Sequence, residues 1–585
     1  MLLTTLDIII LTSFFALSLA IGIYYRKKAE TGLDGFFLGG RNLPWYIAGI
    51  SMVATTFAAD TPLAVAGMVG KNGIAGNWLW WNAMFGGMLT VYFFAKLWRR
   101  ANILTEVEFI ELRYSGKPAA FLRGFKAIYL GLFMNIMIIG WVNLALYKLI
   151  KIFFPEIPVE NIMFFVFAAM IIAVIYTSIS GLWGVAVTDV VQFGIAMVGC
   201  IILAYLVLDS DKIGGIDGLK AKLPAETFNF FPSGDSNGYS MSIASFIKFF
   251  GIVWWASWYP GAEPGGGGYV AQRMMSAKNE RHSILATLLF QIGHYAIRPW
   301  PWIIVALCSL VLYPDLSDQM KGDGYVMAMK EFLPSGLRGL LLVAFLAAYL
   351  STISTQLNWG ASYLVNDIYK RFLAKKELTD KKLVGASRVT TLIIMLFGIG
   401  ATMYIQKTAT IEGVWEFIMN CGAGLGLVLI LRWYWWRINA WTEIAATLAP
   451  FVSYGILTLL CYYKVVCVED PYSFFITVGF TTLVWIITAF VTKPTDNAVI
   501  TNFYTKVKPG GWWAPLEKQT GTKAANNNMP YLIISWLASV IMLYSVLFFT
   551  GKLIFKEWDA ALNYSLVAVF SFISLAYFAK KGKVF

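Results

Sequence analysis

The sequence predicts an all-α polytopic membrane protein, and three observations carry that class. Of the 585 residues, 58% are hydrophobic and 14% are charged, whereas a soluble domain holds roughly 45–50% and about 25%. The apolar residues fall in runs of about 20, the length that crosses a hydrocarbon core as a helix. Short polar turns separate the runs, and basic residues gather in alternate turns. The mean hydropathy of +0.65 agrees. Together these exclude an ordinary soluble domain, a disordered chain and a collagen.

Setting runs against turns gives about 15 transmembrane helices, at 4–25, 44–70, 76–98, 123–153, 160–179, 184–208, 241–275, 282–313, 338–371, 384–405, 411–435, 440–463, 473–492, 529–550 and 560–579. The first is a full span long and ends in Arg26-Lys27-Lys28, so it reads as a retained helix and not a cleaved leader. With the N-terminus outside, the turns holding Arg26 to Lys28, Arg99-Arg100, Arg273 to Arg281, Lys370 to Lys382 and Lys580-Lys581 all fall in the cytoplasm, as does the C-terminus. The net charge of +13, from 46 basic and 33 acidic residues, therefore faces cytoplasm and lipid headgroups, with no nucleic acid partner. The expected setting is the plasma or inner membrane, with the chain working as a monomer. The polar stretches 209–240 and 314–337, outside, and 493–528, inside, are too short for independent domains.

Gly/Pro clusters and carboxylates are costly inside a lipid-facing helix, because each unpaired peptide group or charge in hydrocarbon is expensive. Two segments carry them. Ser51 to Pro62 places three threonines, Asp60 and Pro62 near mid-membrane, and Trp254 to Gly268 includes Pro260, Glu263, Pro264 and four successive glycines. The breaks lie five helices apart. Paired interruptions at matching places in two halves are the pattern of an inverted-repeat secondary transporter, in which unwound carbonyls and half-helix ends bind ion and solute. The implied organisation is an extra helix and cytoplasmic link at 1–43, a first repeat at 44–208, the extracytoplasmic loop 209–240, a second repeat at 241–436, and additional helices at 437–585.

Three ordered motifs resemble the sodium:solute symporter family from Asp34 to about Trp436. They are Phe37 to Trp45 at the entry of the first core helix, Ile175 to Trp183 followed by Thr188-Asp189-Val190-Val191-Gln192, and Phe332 to Gly339 followed by Ala347 to Thr355 and Asn366-Asp367-Ile368-Tyr369-Lys370. Ser180 stands where a second glycine is usual in the family. The resemblance implies a LeuT-like fold, two inverted five-helix repeats with extra flanking helices. It further implies a sodium site of carbonyls from Ala54, Phe57 and Ala348 and hydroxyls from Ser351 and Thr352. Ala348, Ser351 and Thr352 share one helix face by their spacing, and neutral oxygens of this kind do not titrate near neutral pH. In some relatives an Asp faces extra hydroxyls, which implies a second sodium at Asp189, Ser354 and Thr355; Asp189 can equally hold a helix start.

The solute, a small polar organic molecule, is expected between the two breaks. Candidate residues are Asp60, Thr61, Trp80, Trp81, Trp255, Trp258, Tyr259, Glu263, His294 and Arg298. Aromatic faces beside hydrogen-bonding groups suit sugars, and a guanidinium suits a carboxylate. A sugar or sugar derivative leads, with a carboxylate or amino-acid solute second. The hydrogen-bonding positions of sugar-transporting relatives are matched here by Trp80 and Met419, so galactose-type recognition does not carry over. Arg298 is expected to pair with Glu263 or Asp60, or else to bind substrate. The five cysteines form no CxxC pair and histidines number two, so neither a disulfide scaffold nor a zinc site is expected. No HExxH, GxGxxG or Walker loop marks an enzyme, and the tail after the last helix is too short for a signalling domain.

Overall fold

Residues 3–29, 32–232, 239–259, 261–374, 378–523 and 528–584 are described in a computed structural model. Pro260, part of the Lys370 to Lys382 cluster, and the side chains of Lys27, Lys28, Tyr176, Ser178, Ile179 and Ser180 lie outside the described residues. Every named element is helical, and the two backbone bridges, Leu43 with Ala277 and Trp435 with Trp512, are isolated.

Among the described residues, ten helices are long and apolar enough to cross a membrane, or twelve when two sharply bent pairs count as one span each. That is fewer than the 15 expected, and the difference lies in three segments. The 76–98 stretch is present as short consecutive helices from Trp78 to Ala101. The 160–179 stretch joins its successor in Ile162–Leu208, interrupted at Gly181, whose φ of 56° and ψ of −165° leave the helix; a positive φ there favours glycine. The 241–275 stretch contributes only a short apolar helix, Ile243–Ala256, before the chain unwinds and resumes at Gly268–Ser276.

Trp45–Thr56 and Asp60–Asn72 meet at 55°, so the first expected break is present. Pro62 sits in the first turn of the second piece, where a missing N–H costs nothing. The second bent pair, Ile411–Cys421 with Gly426–Tyr434 at 48°, interrupts a span expected to be continuous over 411–435. Close packing explains it. A Cβ at Gly422 would lie 2.5 Å from the Trp258 backbone nitrogen, and one at Gly426 would lie 2.5 Å from the Trp255 carbonyl. The tenth core span bends around the non-helical backbone of 257–259 and 261–267.

Leu337–Tyr363 runs through the centre, and 89% of the most apolar window of Leu337–Leu373 is buried, against 17% for Trp558–Lys581 at the rim. A charged cluster ties helices together near one end. Glu443 accepts from Lys126 at 2.6 Å, Arg432 at 3.1 Å and the Tyr114 hydroxyl at 2.8 Å, all buried. Arg123 bridges Asp367 and Glu111, and Arg371 joins them. At the other end, Lys212 pairs with Glu331, Lys220 with Glu557 and Lys556 with Asp217. The two sets of loops thus segregate as the alternation of spans requires. Cys461 and Cys467 form a disulfide across the turn after Ala440–Tyr462. The sequence carried no disulfide pattern, because a single bridge within one loop lacks the spacing of a scaffold.

Candidate functional site

A cavity opens between the two breaks, enclosing about 880 Å³ when the open space at its mouth is counted. Asp60, Thr61, Trp80, Tyr259, His294 and Arg298 line it, and so does Thr352. Sequence reasoning missed Trp141, Trp415, Tyr269, Tyr295, Asn82 and Gln356, which also face it. Trp141 lies in a helix with no break to draw notice, and Trp415 stands between Glu412 and Glu416 in a span read as continuous.

Four candidates lie away from the lining. Trp81 is fully buried against Trp78 and Phe548, and its carbonyl accepts from Tyr544. Trp255 donates to the carbonyl of Gly251 at 2.8 Å. Trp258 is 2% exposed and packs its backbone on Gly422. Glu263 is turned from the cavity by the turn that closes when Gly266 N–H donates to the Glu263 carbonyl. Its carboxylate sits beside Glu106 and the backbone of Gly267 and Gly268.

Arg298 forms neither expected ion pair: no carboxylate lies within 4.0 Å of it among the described residues. Its Nη1 donates to the Val53 carbonyl at 3.0 Å and to the Thr56 hydroxyl at 3.2 Å. Its Nη2 lies 3.3 Å from His294 Nε2, and the guanidinium stands 5.3 Å over the Trp302 ring. Because Arg298 only donates, Nε2 accepts and the proton of His294 sits on Nδ1, 2.9 Å from the Thr56 hydroxyl. Thr56 then donates to Met52 or Val53. The Val53 carbonyl that anchors this chain of bonds also accepts from the Phe57 N–H at 2.9 Å, in the last turn before the unwinding at residues 57–59. Asp60 is 2% exposed, and its Oδ1 has no partner among the described residues.

Of the five residues of the implied sodium site, Ala54 lies in the last turn of Trp45–Thr56, Phe57 just past its end, and Ala348, Ser351 and Thr352 in Leu337–Tyr363, all at most 4% exposed. Thr352 donates to the Thr55 carbonyl at 2.8 Å, so its oxygen lone pairs point elsewhere and remain acceptors for a cation. The Ala54 carbonyl accepts from Phe57 N–H at 3.0 Å. Ser351 donates to Asp189 Oδ1, and Ser51 donates to Asp189 Oδ2, each at 2.6 Å. Arg273, expected in a cytoplasmic turn, is instead fully buried in Gly268–Ser276 beside these groups. The glycine-rich break returns the chain inward there, which a count of basic residues does not register.

The model of the sodium:solute symporter family matches residues 36–449. The chain belongs to the sodium:solute symporter family. A sodium/glucose cotransporter of Vibrio parahaemolyticus is 25% identical over 487 residues, covering 77% of this symporter and 85% of the relative. Sodium/glucose cotransporter 1 of Oryctolagus cuniculus is 25% identical over 478 residues, covering 74% and 69%. A Na+-coupled sialic acid symporter, solved in a substrate-bound outward-open state, superposes with a TM-score of 0.66 at 19% identity, covering 84% of this chain and 99% of that one. The symporter therefore has the LeuT-like fold. It is a sodium-coupled solute symporter and not an enzyme.

Proposed function

We propose that the symporter uses the inward sodium gradient to import a sugar or sugar derivative through this cavity by alternating access. One observation carries the reading: Thr352 lines the solute cavity and also brings a hydroxyl to the unwound carbonyls of the first break. Sodium held by Ala54, Phe57, Ala348, Ser351 and Thr352 would fix that break, whose residues Asp60 and Thr61 face the solute. Hard neutral oxygens suit this cation and carry no proton that competes with it near neutral pH. Trp80, Trp141, Trp415 and Tyr259 offer ring faces to the C–H faces of a sugar.

A second reading, a carboxylate or amino-acid solute, is favoured by Arg298, whose guanidinium faces the cavity with no carboxylate partner among the described residues. Sodium-driven uptake into proteoliposomes, screened across sugars, sugar acids, amino acids and polyols, separates the two. Uptake of every solute without sodium would overturn both.

For orientation, the end bearing Arg99, Arg100, Arg123 and Arg371 faces the cytoplasm by the excess of basic charge. The Cys461–Cys467 disulfide then falls outside, where such bonds persist. The repeats span 44–208 and 241–436, and the chain acts as a monomer.

A further inference from the structure

We propose that Glu106 and Glu263 are a proton-binding pair, which shares one proton while the cytoplasmic side is closed and opens that side by releasing the proton to the cytoplasm. The inference rests on the alternating-access reading and the orientation given above. Both side chains are buried, Glu106 at 5% and Glu263 at 2% exposure. They come from separate places: Glu106 stands in the turn before Phe109–Arg113, a few residues past Arg100, and Glu263 stands in the second break. They meet at Gly267. A Cβ on that residue would lie 3.0 Å from Glu263 Cγ and 3.1 and 3.2 Å from Glu106 Oε1 and Oε2, and one on Gly268 would lie 2.9 Å from Glu263 Oε1. The glycine run that interrupts the span thus also leaves the space in which two carboxyl groups face each other.

The two groups are satisfied very unequally. Glu106 Oε2 accepts from the Gly268 N–H at 2.6 Å and from the Tyr363 hydroxyl at 3.0 Å, and its Oε1 lies 3.6 Å from Arg432 Nη2. Neither oxygen of Glu263 has a partner among the described residues. The surrounding charges leave one negative unit over. Arg432 and Lys126 balance Glu106 and Glu443, and Arg113 donates to the carbonyls of Arg432, Trp435 and Trp436. The phenols of Tyr259, Tyr269 and Tyr363, also within electrostatic reach of Glu263, carry no charge at neutral pH. A buried carboxylate without a partner takes up a proton instead of staying charged, and two carboxyl groups at one site do not both ionise readily. The bond to Gly268 makes the pair a latch, since it ties the start of Gly268–Ser276 to the turn that holds Glu106. With the proton present the contact is neutral and holds. Without it, two like charges face each other across Gly267, weakly screened, and drive the half-helix from Glu106.

Two measurements on the purified full chain in lipid nanodiscs test this without a solute. Infrared spectra separate the C=O stretch of a protonated carboxyl from carboxylate bands, and subtracting Glu263→Gln from wild type at neutral pH should leave the band of one protonated carboxyl. Equal spectra, or a difference only in carboxylate bands as a bound metal ion would give, overturn the proposal. The second measurement is deuterium uptake by the amides of Gly268–Ser276, followed by mass spectrometry and compared with Glu263→Gln at each pH. The two proteins should exchange alike in acid, and the wild type several-fold faster in alkali; a ratio that stays flat overturns the proposal. If Glu263→Gln does not fold, Glu106→Gln decides: with no like charge opposite Glu263, uptake in alkali should not exceed the chemical exchange rate as the wild type does, and an excess equal to wild type overturns it. Wild-type uptake that follows the chemical rate alone at every pH overturns it without any variant. The transport reading is judged apart, because Thr352→Ala alters sodium-driven uptake and leaves the Glu263 band in place, so a missing band defeats the proton pair while sodium symport stands.

Discussion

The Thr352 hydroxyl donates to the Thr55 carbonyl at 2.8 Å and so pins the central helix to the last turn before the first break. The bond orients the hydroxyl with its proton on the peptide and its lone pairs available for a cation. Thr352→Ala removes both the pin and a ligand. A hydrogen bond to a charged group contributes about 1.5–3 kcal/mol, so the sodium concentration for half-maximal uptake should rise on the order of ten- to a hundredfold. Thr352→Ser keeps the oxygen and should stay close to wild type. Sodium titration of uptake at fixed solute checks it, and an unchanged midpoint in Thr352→Ala would remove Thr352 from the ion path.

Arg298 tests what the cavity recognises. Arg298→Lys keeps the charge and loses the planar fork that grips a carboxylate through two bonds. For an anionic solute the KM should rise at least about tenfold, the equivalent of about 1.4 kcal/mol, with a neutral sugar much less affected. Arg298→Ala also forfeits the stacking on Trp302 and the bonds to Val53 and Thr56, so its thermal stability should fall while that of the lysine variant holds. Competition of labelled uptake by neutral sugars and by sugar acids gives the comparison.

What was legible in the sequence follows from how each feature is encoded. The membrane class and the first break could be read because hydropathy and a Pro-Asp-Thr cluster are local signals. The disposition of Glu263 could not be read, since a residue in an unwound segment has no helical period to say which way it faces. Arg273 misled for a related reason: charge counting assumes that basic residues near a turn stay in water, and the backbone after four glycines carried this one inward. The bend in 411–435 was hidden because its cause is the backbone of Trp255 and Trp258, more than 150 residues away in sequence.

That distant contact supplies a stability prediction. Gly422 and Gly426 flank the bend between Ile411–Cys421 and Gly426–Tyr434, and each meets backbone of the second break at 2.5 Å from where a Cβ would stand. Backbone cannot turn aside as a side chain can, so Gly426→Ala and Gly422→Ala should each cost about 1–3 kcal/mol, the usual penalty of overpacking. Thermal unfolding in detergent should show both below wild type. Gly455→Ala, where nothing lies within 4 Å of the added carbon, is the control and should not move.

Glu331 gives a prediction in pH. Outside the spans, its carboxylate accepts from Lys212 at 2.6 Å and from the Tyr313 hydroxyl at 2.7 Å, joining two loops at one end of the molecule. The hydrogen bond from Lys212, then that from Tyr313, holds its pKa below the ordinary glutamate value. A depressed folded-state pKa means that the stabilisation is fully present above the unfolded value, about 4.3, and is lost as pH falls through the lower folded one. Lys212 is well exposed, at 64%, so water and salt screen the pair and its contribution should not exceed about 1 kcal/mol. Glu331→Gln should therefore melt slightly below wild type at neutral pH and low salt. The gap should narrow as pH falls below the glutamate range, where Glu331 takes up a proton, and should narrow with added salt at neutral pH. A gap that widens on acidification would show that Glu331 is held by something other than its charge.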